Sequence, residues 1–122
     1  EYLAFTDFTV LSSISEGQPL AVLESLAAGR PCVTTDVGCC RTLLEGGEDD
    51  DFGPAGMVVP PMHSPALANA MEVLATRPDL REEMAEAGVQ RVKAHYVHQD
   101  MVDHYNQNYE EVATAWRALD LN

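Results

Sequence analysis

Apolar positions in this chain follow two rhythms. Residues 9–14, Cys32–Thr35 and Gly56–Val59 are short apolar or β-branched runs bounded by turn-forming residues, and they read as strands. The second is apolar or β-branched throughout, as expected of a strand covered on both faces. Elsewhere apolar residues return every three or four positions, which predicts helices over residues 19–28, 39–45, 64–76, 79–94 and about 98–119. Pro19 suits the first position of its helix, Gly29 a left-handed stop beyond it, and Pro31 blocks continuation. Ser64 and Pro65 are expected to cap the third helix, with Leu67, Met71 and Leu74 on its buried face. Leu80, Met84, Ala87 and Val92 are the inward set of the fourth.

Strands alternating with helices argue for an α/β fold: an open, parallel, Rossmann-like sheet with flanking helices and a long C-terminal helix. Three strands are few, since such a domain has about five or six. Glu1 also begins inside what reads as a structural element, with no start methionine. Residues 1–122 are therefore expected to be part of a domain, with its first half upstream.

The last helix carries a seam of its own. Val102, Tyr105, Tyr109, Val112, Trp116 and Leu119 alternate at spacings of three and four. Either this helix docks on its own core, or it leaves an aromatic stripe for another domain, a partner helix or a second copy.

Charge narrows the partners. Twenty acidic against seven basic residues give a net charge of −13, which repels nucleic acid and anionic lipid and excludes both as primary partners. An anionic small ligand stays open, because helix-terminal amides can oppose the global field locally. No apolar run is long enough to insert in a membrane and no signal peptide is visible. The three cysteines, Cys32, Cys39 and Cys40, have neither disulfide nor metal spacing, which fits a reducing, cytoplasmic setting. They read as small buried side chains, with a lowered pKa near a helix start as the alternative for Cys39 and Cys40. The acidic, glycine-bounded residues 46–54 read as a mobile loop. His63, His95, His98 and His104 read as surface residues.

Chemistry concentrates in residues 15–29. Leu20, Leu23, Glu24 and Ala27 share the i, i+3, i+4, i+7 pattern, which puts Glu24 among apolar neighbours. It is the only charge in that helix, with no lysine or arginine within a turn. A carboxylate buried there needs hydrogen-bond donors. A ribose diol would supply two; a partner from the upstream half, or rim water, is the alternative. Glu16 emerges at the strand-to-helix turn. In open α/β sheets ligands sit outside the carboxyl ends of strands, and the amides of the following helix N-terminus suit a diphosphate. Glu16 could there bond sugar hydroxyls beyond the phosphates.

The run Ser15-Glu16-Gly17-Gln18-Pro19-Leu20-Ala21-Val22-Leu23-Glu24-Ser25-Leu26-Ala27-Ala28-Gly29-Arg30-Pro31 resembles the E-x7-E signature of retaining glycosyltransferases of family four. Val33-Thr34-Thr35-Asp36-Val37-Gly38, Gly56-Met57-Val58-Val59-Pro60-Pro61 and the leucine-arginine, glycine, arginine-valine pattern of residues 79–92 continue the resemblance to about residue 110. The wording of residues 14–20 and 36–38 is most similar to the branch serving Pel exopolysaccharide biosynthesis. The resemblance implies a GT-B architecture of two Rossmann-like domains, this chain belonging to the C-terminal, donor-binding one. It implies a nucleotide-diphosphate sugar donor, usually UDP-linked, a glycan acceptor on the N-terminal domain, and neither cofactor nor obligatory metal. Glu16 matches the glutamate near the donor sugar and is the candidate catalytic residue. Glu24 matches the one that bonds the ribose diol, and Gly17, Gln18 and Leu20 match the loop beside sugar and phosphates.

Three departures qualify the match. Pro19 stands where many members have glycine and removes an amide donor, so phosphate contacts shift to neighbours such as Leu20 and Ala21. The common Gly-Gly is Gly38-Cys39, and a usual glutamate is Thr42. The cations that clamp the diphosphate lie upstream in the family, so this chain alone is expected to be inactive. Two rival functions stay open: a non-catalytic interaction module working through the last helix, and a nucleotide-sugar epimerase of the same architecture.

Overall fold

A computed structural model describes residues 2–120 of the chain, with side chains through Ala118. A single 3-10 turn, Tyr2–Phe5, precedes β1 (Thr9–Leu11), α1 (Leu20–Ala27), β2 (Cys32–Thr35), α2 (Cys40–Glu45), β3 (Gly56–Val59), α3 (Ser64–Thr76), α4 (Pro78–His95) and α5 (His98–Asp120). The strands form one parallel sheet in the order β1-β2-β3, with Val10 opposite Val33 and Val33 opposite Met57. The parallel α/β fold expected from the alternation is present.

The sheet is buried on both sides, and successive β2 side chains show it. Cys32 joins Val22 and Leu26 of α1, Leu43 and Leu44 of α2, and Ala87 of α4 in one core cluster. Val33, one residue on, joins Val59, Ala70 and Leu74 of α3, and Met84 of α4 in the other. Alternating strand side chains point to opposite faces, so both crossover helices share one layer, as right-handed β-α-β connections require. Arg30 secures the N-terminal turn: its Nε and Nη2 donate to the carbonyls of Leu3 and Ala4. Two glycines permit close backbone packing. A Cβ on Gly56 would lie 2.0 Å from the Cys32 carbonyl oxygen, and one on Gly88 2.9 Å from Leu26 Cδ2.

Several expected details change. β1 stops at Leu11, because Thr9–Leu11 is the stretch in register with β2. Pro19 is the residue before α1 rather than its first, because its ψ of 113° is extended. His63, not Ser64, caps α3: its Nδ1 accepts the Ala66 amide at 3.0 Å. Met71 is exposed, and Ala70 with Leu74 forms the buried face of α3. Cys32 and Cys40 are buried, and desolvation pushes Cys32 up to about 11 and raises Cys40 as well. These two are core side chains, not reactive thiols.

Residues 46–54 are held in place rather than loose. Arg91, 1% exposed, reaches from α4 into the loop and matches all five guanidinium hydrogens to acceptors. Nε and Nη2 donate to the two oxygens of Asp50, Nη1 to the carbonyls of Leu43 and Leu44, and Nη2 also to that of Gly53. One side chain therefore closes the C-terminal end of α2, fixes the acidic loop and steadies the entry to β3.

The seam of α5 faces outward. Tyr105, Tyr109, Val112 and Trp116 are all more than half exposed, with the rings of Tyr105 and Tyr109 stacked at 6.4 Å. The alternative of docking on the chain's own core is thus overturned for these residues. Leu119 lies outside the described side chains, and Glu1 outside the described residues. Among the described residues no helix is long and apolar enough to cross a membrane.

Candidate functional site

β1 ends at Leu11, and residues 12–19 carry the chain from the carboxyl edge of the sheet to α1 without regular structure. Such a segment has few backbone bonds of its own and must be fixed from outside. The brace is the loop after β2. Cys39 N–H donates to the Gly17 carbonyl at 3.0 Å, and Gly38 adopts a left-handed φ of 53°. A Cβ on Gly38 would lie 2.3 Å from the Glu16 carbonyl oxygen and 2.4 Å from that of Gly17. Only glycine fits here, both for its backbone angle and for the approach of the two loops. The Asp36 amide, bonded to the Val59 carbonyl at 2.8 Å, ties the same loop to β3.

Side chains complete the arrangement. Ser13 Oγ donates to Glu16 Oε1 at 2.6 Å, and Thr35 Oγ1, at the end of β2, donates to the Ser13 carbonyl. Glu16 is half-buried, while Gly17, Gln18, Leu20 and Ala21 are exposed around the start of α1. That helix has no side-chain cap and no acidic residue in its first turn. Its first amides thus have no side-chain acceptor, and with the positive dipole end beside Gly17 they suit an anion. Gly17 itself has no positive φ and nothing within 4 Å of a built Cβ. Internal packing therefore does not explain its being glycine; close approach of a ligand would.

Glu24 does not occupy the expected position. Val22, Ser25 and Leu26 form the buried face of α1, and Glu24 is exposed on the outer side with Leu20 and Ala27. The helix is apolar nearly all round, so spacing selected a stripe without fixing which stripe meets the sheet. The buried polar group of α1 is instead Ser25, bonded to Thr9 Oγ1 at 2.6 Å and to the Arg30 carbonyl at 2.9 Å. Glu24 therefore needs no ligand to offset burial. It keeps its place in the E-x7-E pattern and faces outward.

Arg41 has its partners within the chain. It pairs with Asp36 at 2.7 Å and Glu45 at 2.8 Å on the surface of α2. Among the described residues no group of three or more histidine, cysteine or acidic side chains could hold a metal ion. A crevice of about 110 Å³ opens at the carboxyl ends of the strands, lined by Ser12, Thr35, Pro60, His63 and Leu67 among others. The larger concavity, about 520 Å³, is an open face of α5 that shares no residue with the candidate site. Sequence reading missed Ser13, Thr35 and the bracing role of Gly38. The serine–x–x–glutamate spacing of residues 13–16 was the available signal for the first.

Comparison with known proteins gives the chain's family and fold relatives. The sequence model of the family described as glycosyl transferases group 1 matches residues 1–77. The chain is 37% identical over 84 residues to alpha-D-kanosaminyltransferase of Streptomyces kanamyceticus, covering 69% of this chain and 20% of that protein. It is 33% identical over 96 residues to phosphatidyl-myo-inositol mannosyltransferase of Mycobacterium leprae (strain TN), covering 79% of this chain and 24% of that protein. Its fold superposes on sucrose-phosphate synthase from Thermosynechococcus elongatus with a TM-score of 0.81 and 25% identity, over 93% of this chain and 27% of that one. The chain thus spans about a quarter or less of the length of each.

Proposed function

This chain belongs to the group 1 glycosyl transferases, and from that premise we propose that it is the donor-binding part of a retaining transferase using a nucleotide-diphosphate sugar. The observation that carries the reading is the braced Glu16–Gly17 loop at the carboxyl end of β1, leading directly into an uncapped helix N-terminus. The diphosphate would lie against the amides of Leu20 and Ala21, whose dipole offsets the charge that builds on the leaving group as the glycosidic bond breaks. Glu16 would orient sugar hydroxyls, with Gly17 and Gln18 beside the phosphates. Glu24, one turn into the helix, would accept the two hydroxyls of a ribose. The nucleotide is proposed to be uridine, the architecture GT-B, the acceptor a glycan bound on a second domain, the reaction metal-independent and the setting cytoplasmic. The similarity of residues 14–20 and 36–38 to the Pel branch supports a role in exopolysaccharide synthesis. The E-x7-E spacing favours transfer over epimerisation.

An NMR titration of the isotope-labelled chain with UDP, ADP and UDP-glucose tests the donor site. UDP is expected to shift amides of residues 17–24. Glu24→Ala is expected to abolish those shifts, and Gly17→Ala to weaken them without lowering the unfolding temperature. Shifts scattered away from this segment, or unchanged in Glu24→Ala, would exclude the assignment.

The outward seam of α5 supports a second reading, a contact through Tyr105, Tyr109 and Trp116 with another domain or copy. Sedimentation over a wide concentration range separates the cases: self-association raises the apparent mass with concentration, and a constant monomer mass rules it out.

A further inference from the structure

Glu16 belongs to a segment with no regular structure, and its side chain has three torsions to fix before it can face a donor sugar. Free rotation there costs side-chain entropy on ordering. Ser13 addresses that cost. Its hydroxyl donates to one carboxylate oxygen at 2.6 Å, a short charge-assisted bond. Among the described residues no hydrogen bond reaches the other oxygen, Oε2, which is left for an incoming hydroxyl. Ser13 is itself restrained, since its carbonyl accepts from Thr35 Oγ1, and Thr35 is 4% exposed and in register with Val59 in the sheet. Rigidity thus passes from β2 through Thr35 to Ser13, and through Ser13 to the carboxylate. The Cys39 amide, bonded to the Gly17 carbonyl, holds the adjoining backbone independently of this path.

Resting on the reading of Glu16 as the donor-sugar glutamate, we propose that Ser13, restrained by Thr35, is a positioning residue that aims the Glu16 carboxylate at the donor. Ser13 does not bind the nucleotide, so its removal changes turnover and not nucleotide affinity.

The test uses the protein that carries this chain, with UDP and UDP-glucose as probes. Ser13→Ala is expected to lower kcat about 10- to 100-fold, as misplacement of a reacting contact does. KM for UDP-glucose and the affinity for UDP should stay within about threefold, and Ser13→Thr, which keeps the hydroxyl, should recover most of the rate. On a Glu16→Ala background Ser13→Ala should cost nothing further, because the two residues act as one unit. An equal loss on both backgrounds overturns the proposal. Loss in Glu16→Ala with full rate in Ser13→Ala removes the positioning role and leaves the donor-site reading standing. Full rate in Glu16→Ala removes that reading, and this proposal with it. The carboxyl carbon-13 resonance of Glu16 reads the same contact whatever the natural donor is. It should move in Ser13→Ala and return in Ser13→Thr; an unmoved resonance overturns the proposal.

Discussion

Replacing Arg91 with methionine is expected to destabilise the chain by about 3–5 kcal/mol, the range for breaking a buried ion pair from one side. The substitution would strand the Asp50 carboxylate, which is 4% exposed, together with the carbonyls of Leu43, Leu44 and Gly53. For a chain of this length such a loss lowers the unfolding temperature by roughly 10 °C or more. Adding Asp50→Leu should recover part of it by removing the stranded charge. The pH dependence follows from the sign of the shift. The hydrogen bond from Arg91 holds the Asp50 carboxyl below its ordinary 3.8. Stability from the pair is therefore fully present above that unfolded value and is lost as pH falls through the lower folded one. The gap between the native chain and Arg91→Met should narrow on acidification through that window. A loss below about 1 kcal/mol in urea unfolding at pH 7 would place Arg91 among surface pairs of little weight.

Gly38→Ala is expected to damage the site more than the fold. An alanine at a φ of 53° costs about 1–2 kcal/mol in backbone strain. The added methyl would also overlap the carbonyl oxygens of Glu16 and Gly17, at 2.3 and 2.4 Å. The loop after β2 sits on a core strand, whereas residues 12–19 have no regular structure, so the second must yield. Amide shifts over residues 15–18 and loss of UDP binding should follow, with only that modest fall in stability. Unchanged shifts at Glu16 and Gly17 would show that the loops are not braced against each other in solution.

What could be read from the sequence follows the range of the interactions. β2 and β3 were legible to the residue because β-branched runs end at prolines and a glycine, Pro31, Gly56 and Pro60. The E-x7-E segment was legible as a candidate site because the turn, the helix start and both glutamates are local. The orientation of α1 was not: Leu20, Val22, Leu23 and Leu26 satisfy more than one stripe, and contact with α4 decides which is buried. The acidic loop looked loose because its anchor lies 41 residues away in sequence. Arg91 was visible only as part of an arginine-valine pattern, with nothing local to show that it is buried. The seam of α5 gave a clear period and no direction, since periodicity reports a face without reporting what covers it.

The outward turn of that seam has a practical consequence for anyone following the chain unfold. Trp116 is the single tryptophan, and it sits 66% exposed on α5 rather than in either core cluster. Its emission therefore reports the melting of a solvent-facing helix and not the loss of either core cluster. A fluorescence curve that precedes loss of the sheet would show that α5 melts separately from the two core clusters, a departure from two-state unfolding.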